Sequence, residues 1–309
     1  MSALTTTLIS SCSATDPDTP PEIGTLEWKT DYPKALAESK KSSKPIFALF
    51  QEVPGWAGCQ QFGQTVLTHP LLVDTVESTF TPILIRNNVA GKDAELLKKF
   101  NEPAWNYQVV RFLDSSEKDI IPRKDKIWTI DKLTERIQQT LTKQEIKAPN
   151  SLELLKLETE TSKHKTIALA MHCFWTGERK LGAIEGVILT EAGWLDNNEV
   201  TLVTYHTDKI TLSDLLDKAA AIDCAHKVYL STANERKTAE ALKRFSIGKL
   251  DNSYKKAKIN DQKKQLSDTK YAKLNLSPIQ STKINAFART DIKKANSYLT
   301  KKQLAEVSE

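Results

Sequence analysis

The chain has 309 residues, 39% hydrophobic and 27% charged, enough apolar material for the cores of two domains and unlike a disordered chain. No apolar run approaches the ~20 residues that a membrane-crossing helix needs. The net charge of +5 comes mostly from lysines in the last quarter, among them Lys255, Lys256, Lys258, Lys263 and Lys264; with no interleaved aromatic platform or groove-reading motif they read as a solvated face, and no nucleic-acid partner is expected.

The four cysteines, Cys12, Cys59, Cys173 and Cys224, are scattered. They form neither a secreted disulfide framework nor a C-x-x-C pair with metal-ligand spacing, so no metal and no cofactor are expected. Each has to be judged by its neighbours.

Residues 1–25 read as leader and linker. Leu8-Ile9-Ser10-Ser11-Cys12 resembles the end of a bacterial lipoprotein signal, but the basic n-region and a full apolar segment are missing. With a start codon further upstream, Cys12 would carry a lipid anchor and the protein would be periplasmic or membrane-attached; otherwise it is expected in the cytoplasm. Three prolines between Asp16 and Gly24 mark the linker.

Residues 26–145 alternate helix and strand signals. Helical spacing spans 32–41, Pro45 to Phe50 is an apolar run of strand length, and a Val53-Pro54-Gly55 turn precedes a helical segment to Phe80. Strands are predicted at 83–85 and 109–113, helices at 94–100 and 130–141. That alternation predicts an open α/β sheet.

Residues 160–245 give strand signals at 166–171, 187–191, 200–205 and 228–230. Helix signals fall at 174–184, with Gly186 closing the turn, at 215–219 and at 234–243. The order β-α-β-β-α-β is that of a ferredoxin-like α+β domain. Residues 246–309 read as a basic tail carrying two short helices and no chemistry.

Val53-Pro54-Gly55-Trp56-Ala57-Gly58-Cys59, at a strand-to-helix turn, resembles thioredoxin-like (seleno)proteins with a VPG–selenocysteine–x–x–Thr motif. The resemblance implies a thioredoxin fold for 26–145. Trp56 stands where the family has its selenocysteine or first cysteine, and Gln108 where thioredoxins have a proline. A dithiol cannot form, which leaves Cys59 as a lone redox candidate or a core thiol.

Cys173-Phe174-Trp175-Thr176-Gly177-Glu178-Arg179 resembles the G-C-F-W-x-x-E-R signature of methionine sulfoxide reductase A. The match continues through Gly186-Val187, Thr190-Glu191-Ala192-Gly193-Trp194 and Glu199-Val200-Thr201-Leu202-Val203, about eighty residues in matching element order. The resemblance implies Cys173 as nucleophile, Glu199 as the acid that protonates a sulfoxide oxygen, and Phe174, Trp175 and Trp194 as substrate-contacting aromatics. The residues agree: Cys173 falls between an apolar strand and a helix start, where unpaired N–H groups favour negative charge. His172 beside it would suggest a Cys–His pair, but adjacent residues leaving a strand diverge.

Two family tyrosines are missing. Leu195 to Asn198 is too short to carry the first, and Cys224 stands in place of the second, which would make it a resolving thiol for a Cys173 sulfenate. The implied activity is thiol-based reduction of a sulfoxide or disulfide. Its partners would be an oxidised protein or small oxidised substrate and an external thiol reductant. The opposing reading is a redox-sensing or binding protein that keeps both folds without turnover.

Overall fold

The structure, a computed structural model, describes residues 19–104 and 108–308. Cys12 and its proposed lipid anchor lie outside the described residues. The described chain is mixed α/β, with two separate sheets in two compact units, 1–159 and 160–309.

In the first unit, α1 (Tyr32–Ser42), β1 (Ile46–Gln51), α2 (Ala57–Thr65), α3 (Pro70–Thr79) and β2 (Thr81–Arg86) follow in order. They lead into α4 (Lys92–Lys99), β3 (Val109–Leu113), α5 (Ile130–Lys143) and α6 (Asn150–Thr159). β1 is the central strand, parallel to β2 and antiparallel to β3. All six of its residues are buried, as its apolar sequence requires of a strand covered on both faces. Isolated bridges from Lys29 to Ile83 and from Leu113 to Asp119 extend the sheet at both edges.

One expectation needs correction here, and one element was not foreseen. The segment to Phe80 is two helices, because Pro70 lacks the N–H that would continue α2 and instead occupies the first turn of α3. Residues 150–159, which lie between the two predicted domains, form α6. Leu152 and Leu155 are fully buried, and Glu158 pairs with His69 at 2.8 Å.

The second unit begins with β4 (His164–Ala170), α7 (Phe174–Gly182), β5 (Val187–Leu195), β6 (Asn198–His206), α8 (Leu212–Ala221) and β7 (Lys227–Leu230). It continues with α9 (Ala233–Ala241), β8 (Ser246–Lys249), β9 (Lys255–Lys256), α10 (Pro278–Phe287), α11 (Ile292–Asn296) and α12 (Lys301–Glu306). The six strands lie in the order β8-β7-β4-β6-β5-β9, antiparallel except for the β7–β8 pair.

The β5–β6 hairpin positions the site. Asp196 and Asn197 both have positive φ, 49° and 61°, a two-residue turn whose twist matches that of the strands it joins. The turn extends β5 beyond the predicted Glu191 to Leu195. It also fixes the register, so that Trp194 stands directly opposite Glu199 and Ala192 opposite Thr201.

The segment after Gly248 packs on the rest of the second unit. α10 packs across α7 and β5; a Cβ on Gly182 would stand 3.1 Å from the Thr282 carbonyl oxygen, so the two helices cross closely there. The fully buried Ile279 and Ile284 of α10 carry no surface-helix periodicity that the sequence would display, because α10 is enclosed on most sides.

Candidate active site

Cys173 is the N-cap of α7, with extended backbone and no side-chain capping bond, so its thiol is not consumed by the helix. It is half-buried and free. Glu199 holds the chain on both sides of it. The Met171 N–H donates to the Glu199 carbonyl oxygen at 3.2 Å, and the Phe174 N–H donates to Glu199 Oε2 at 2.8 Å. The second of these satisfies one of the orphan donors at the start of α7 and places a carboxylate at the positive end of the helix.

The close approach of α7 to the sheet makes this contact attainable. A Cβ on Gly177 would fall 2.0 Å from Met171 Sδ and 2.3 Å from Thr201 Oγ1, so a larger residue there would have to displace these two side chains. Thr201, on the same face as Glu199, donates to Met171 Sδ at 3.2 Å.

Three aromatic rings cluster at the start of α7. Phe174 is buried and meets Trp194 edge-on at 5.5 Å and Trp175 at 6.1 Å. Trp194 is 43% exposed. The site thus has an apolar, partly open wall, a half-buried thiol and one carboxylate.

The C-terminal segment supplies the rest, and sequence reading missed it. Ala257 packs against Phe174 and Ala192. The Gln262 carboxamide accepts from the Ala192 N–H at 3.0 Å and donates to the Ala192 carbonyl at 2.8 Å. Glu178 is fully buried; it accepts from the Lys263 backbone N–H and from Lys263 Nζ, both at 2.7 Å, while Nζ also donates to the Thr190 carbonyl. Lys264 Nζ lies over the Trp175 ring, 5.2 Å from its centroid. On the opposite face of β5, Tyr254 covers Gly193 and donates to Glu191 Oε1 at 2.9 Å; burial, reinforced by Glu191, raises its pKa. No local motif announces these residues, because their partners stand 60 or more positions earlier in the chain.

Cys224 is placed differently from Glu199. It is fully buried among Leu181, Leu215, Leu216 and Ala219, and its Sγ donates to the Ile222 carbonyl at 3.6 Å. Burial pushes its thiol pKa up, against the opposing effect of Lys180. Lys180 Nζ bonds the same Ile222 carbonyl at 2.8 Å, which ties the Cys224 segment to the far half of α7, roughly 10 Å along the helix axis from Cys173. A cleft lined by Arg179, Lys180, Ala183, Ile222, Asp223 and Phe287 opens at that far end and does not include Cys173.

In the first unit, Trp56 is the N-cap of α2 and 68% exposed, while Cys59 is buried beneath it. Cys59 Sγ lies 4.0 Å from Gln108 Oε1, and its pKa is raised first by burial and then by Glu52. The loop is held from below by Glu22, a buried side chain in the segment read as linker, whose Oε1 accepts from the Gly55 N–H at 2.8 Å.

Among solved structures, the chain is similar to a DsbH oxidoreductase, at 16% identity and a TM-score of 0.33 over 44% of this chain and 96% of that one. It is also similar to methionine sulfoxide reductase A of Corynebacterium diphtheriae, at 17% identity and a TM-score of 0.28 over 34% of this chain and 76% of that one. Neither is described as a selenoprotein. No protein-family model and no curated protein matches the chain.

Proposed function

We propose that the second unit is a ferredoxin-like, methionine sulfoxide reductase A-type thiol oxidoreductase with Cys173 as its nucleophile. The first unit is then a thioredoxin-like module related to the VPG-type (seleno)proteins, without a working dithiol. The observation that carries the reading is the Glu199 carboxylate at 2.8 Å from the Phe174 N–H, one residue beyond Cys173. A nucleophile, a proton donor and an apolar aromatic wall are what attack on a methyl sulfoxide requires.

In the proposed reaction the Cys173 sulfur attacks the sulfoxide sulfur and Glu199 delivers a proton to the sulfoxide oxygen. The transient sulfur–sulfur bond and the sulfur–oxygen bond then break as the hydroxyl passes from the substrate sulfur to the Cys173 sulfur, so the thioether leaves and Cys173 carries a sulfenic acid. One external thiol displaces water to give a mixed disulfide, and a second releases Cys173. In sum, a sulfoxide and two thiols give a thioether, a disulfide and water. Phe174, Trp175 and Trp194 would hold the substrate methyl group. Cys224 would pack the core, since its sulfur is enclosed; Cys59 is buried likewise.

Incubating the full chain with a methionine sulfoxide peptide and dithiothreitol tests this. Loss of one oxygen from the peptide, abolished by Cys173→Ser, is the expected mass change; an unchanged peptide would sink the enzymatic reading. The burial of Cys59 and Cys224, together with the missing tyrosine hydroxyls, favours the second reading, a sulfenate-forming sensor without turnover. That reading predicts sulfenic acid at Cys173 after peroxide and no peptide reduction.

A further inference from the structure

Lys264 is half-buried, and among the described residues no carboxylate pairs with it; its ammonium lies over the face of Trp175. The nearby buried acid, Glu178, is already engaged by Lys263 through both oxygens. The same indole has a second unmet need, because Trp175 Nε1 is buried without an acceptor. An ammonium and an indole N–H are both donors with no acceptor capacity. One side of the Cys173 site therefore combines an unpaired cation with an orphan donor beside an apolar wall.

We propose that Lys264 and Trp175 form a carboxylate-accepting edge of this site, selecting oxidised thioethers that carry a carboxylate a few bonds from the sulfur. This rests on the reading of Cys173 as a sulfoxide-reducing thiol. The apolar rings take the methyl group, and the carboxylate meets the ammonium, which shifts off the indole face and opens the N–H edge to it. Lys264 is then a specificity determinant contributed by a segment outside the resemblance to methionine sulfoxide reductase A.

The test compares N-acetylmethionine sulfoxide with its carboxamide, which differ in the charge. A second comparison uses a methionine sulfoxide peptide amide flanked by Glu or by Gln, to separate a terminal carboxylate from an acidic side chain. For the full chain with dithiothreitol, KM for the acid should be about tenfold below that for the amide, with similar kcat, as for one charge-assisted contact. Lys264→Met should remove the preference, and Lys264→Arg should keep it. Equal KM values in the natural chain, or a preference that survives Lys264→Met, would overturn the proposal. If neither compound is reduced, the catalytic reading fails on its own. Calorimetric titration with N-acetylmethionine and N-acetylmethioninamide then decides the carboxylate edge: tighter binding of the acid, lost in Lys264→Met, upholds it, and equal or absent binding refutes it.

Discussion

The Glu199 carboxylate accepts the N–H of Phe174, the residue that follows Cys173, at 2.8 Å. One oxygen, Oε2, orients the side chain against the start of α7, and in the proposed reaction the other would exchange a proton with the substrate. Glu199→Gln keeps an oxygen for the Phe174 amide and loses the acid. Sulfoxide reduction should fall by about a hundredfold, with alkylation of Cys173 by iodoacetamide still occurring. Near-normal turnover in Glu199→Gln would remove Glu199 from the chemistry.

Cys224 should behave as a packing residue. Mild peroxide followed by non-reducing peptide mapping should give oxidation at Cys173 and no Cys173–Cys224 disulfide. Cys224→Ala should leave turnover within about twofold while costing about 1 to 2 kcal/mol of stability for the small cavity. A Cys173–Cys224 link would restore Cys224 as a resolving thiol.

Lys263 neutralises the fully buried Glu178. Lys263→Met leaves an uncompensated interior charge and should destabilise the second unit by about 3 to 5 kcal/mol. Adding Glu178→Leu should recover much of the loss. Denaturant-dependent alkylation of buried Cys224 reads the second unit separately from the first, whose reporter is Cys59. An unchanged midpoint in Lys263→Met would show that the pair does not hold the segment.

Lys283 of α10 donates to the Gly182 and Ile184 carbonyls, and burial lowers its pKa to about 7. The unfolded chain keeps an ordinary lysine near ~10.4 and so binds the extra proton between these two values. Stability of the second unit should therefore rise as pH climbs from about 7 toward 10, and the full burial penalty should apply below 7. Thermal unfolding at pH 6.5, 8 and 9.5 measures the slope, which should flatten in Lys283→Met. An equal slope in the variant would assign the effect elsewhere.

Glu199 is reached from the sequence only through the resemblance to methionine sulfoxide reductase A, whereas Cys173 is marked both by that resemblance and by its place between an apolar strand and a helix start. Trp194 was named from its motif, but its place opposite Glu199 follows from the Asp196–Asn197 turn, which apolar alternation does not encode. Lys263 and Lys264 looked like members of a solvated lysine run, since a lysine buried against Glu178 and one left in solvent read alike. Cys224 was assigned through a missing tyrosine. The sequence carried no sign that its sulfur would turn into the core formed by Leu215 and Leu216.

The Gln262 carboxamide meets the N–H and the carbonyl of Ala192 as a neighbouring strand would. β9 is only two residues long, yet with Gln262 it finishes the hydrogen bonding of β5, and Lys255, Lys256 and Lys258 line that border. Open strand borders recruit other chains, and charged lysines beside them discourage it. A chain cut before Tyr254 would bare this border together with the apolar wall around Phe174. Self-association and deposition as aggregates are then the expected outcome for the shortened chain, because the lysine-rich segment both borders β5 and packs against Phe174.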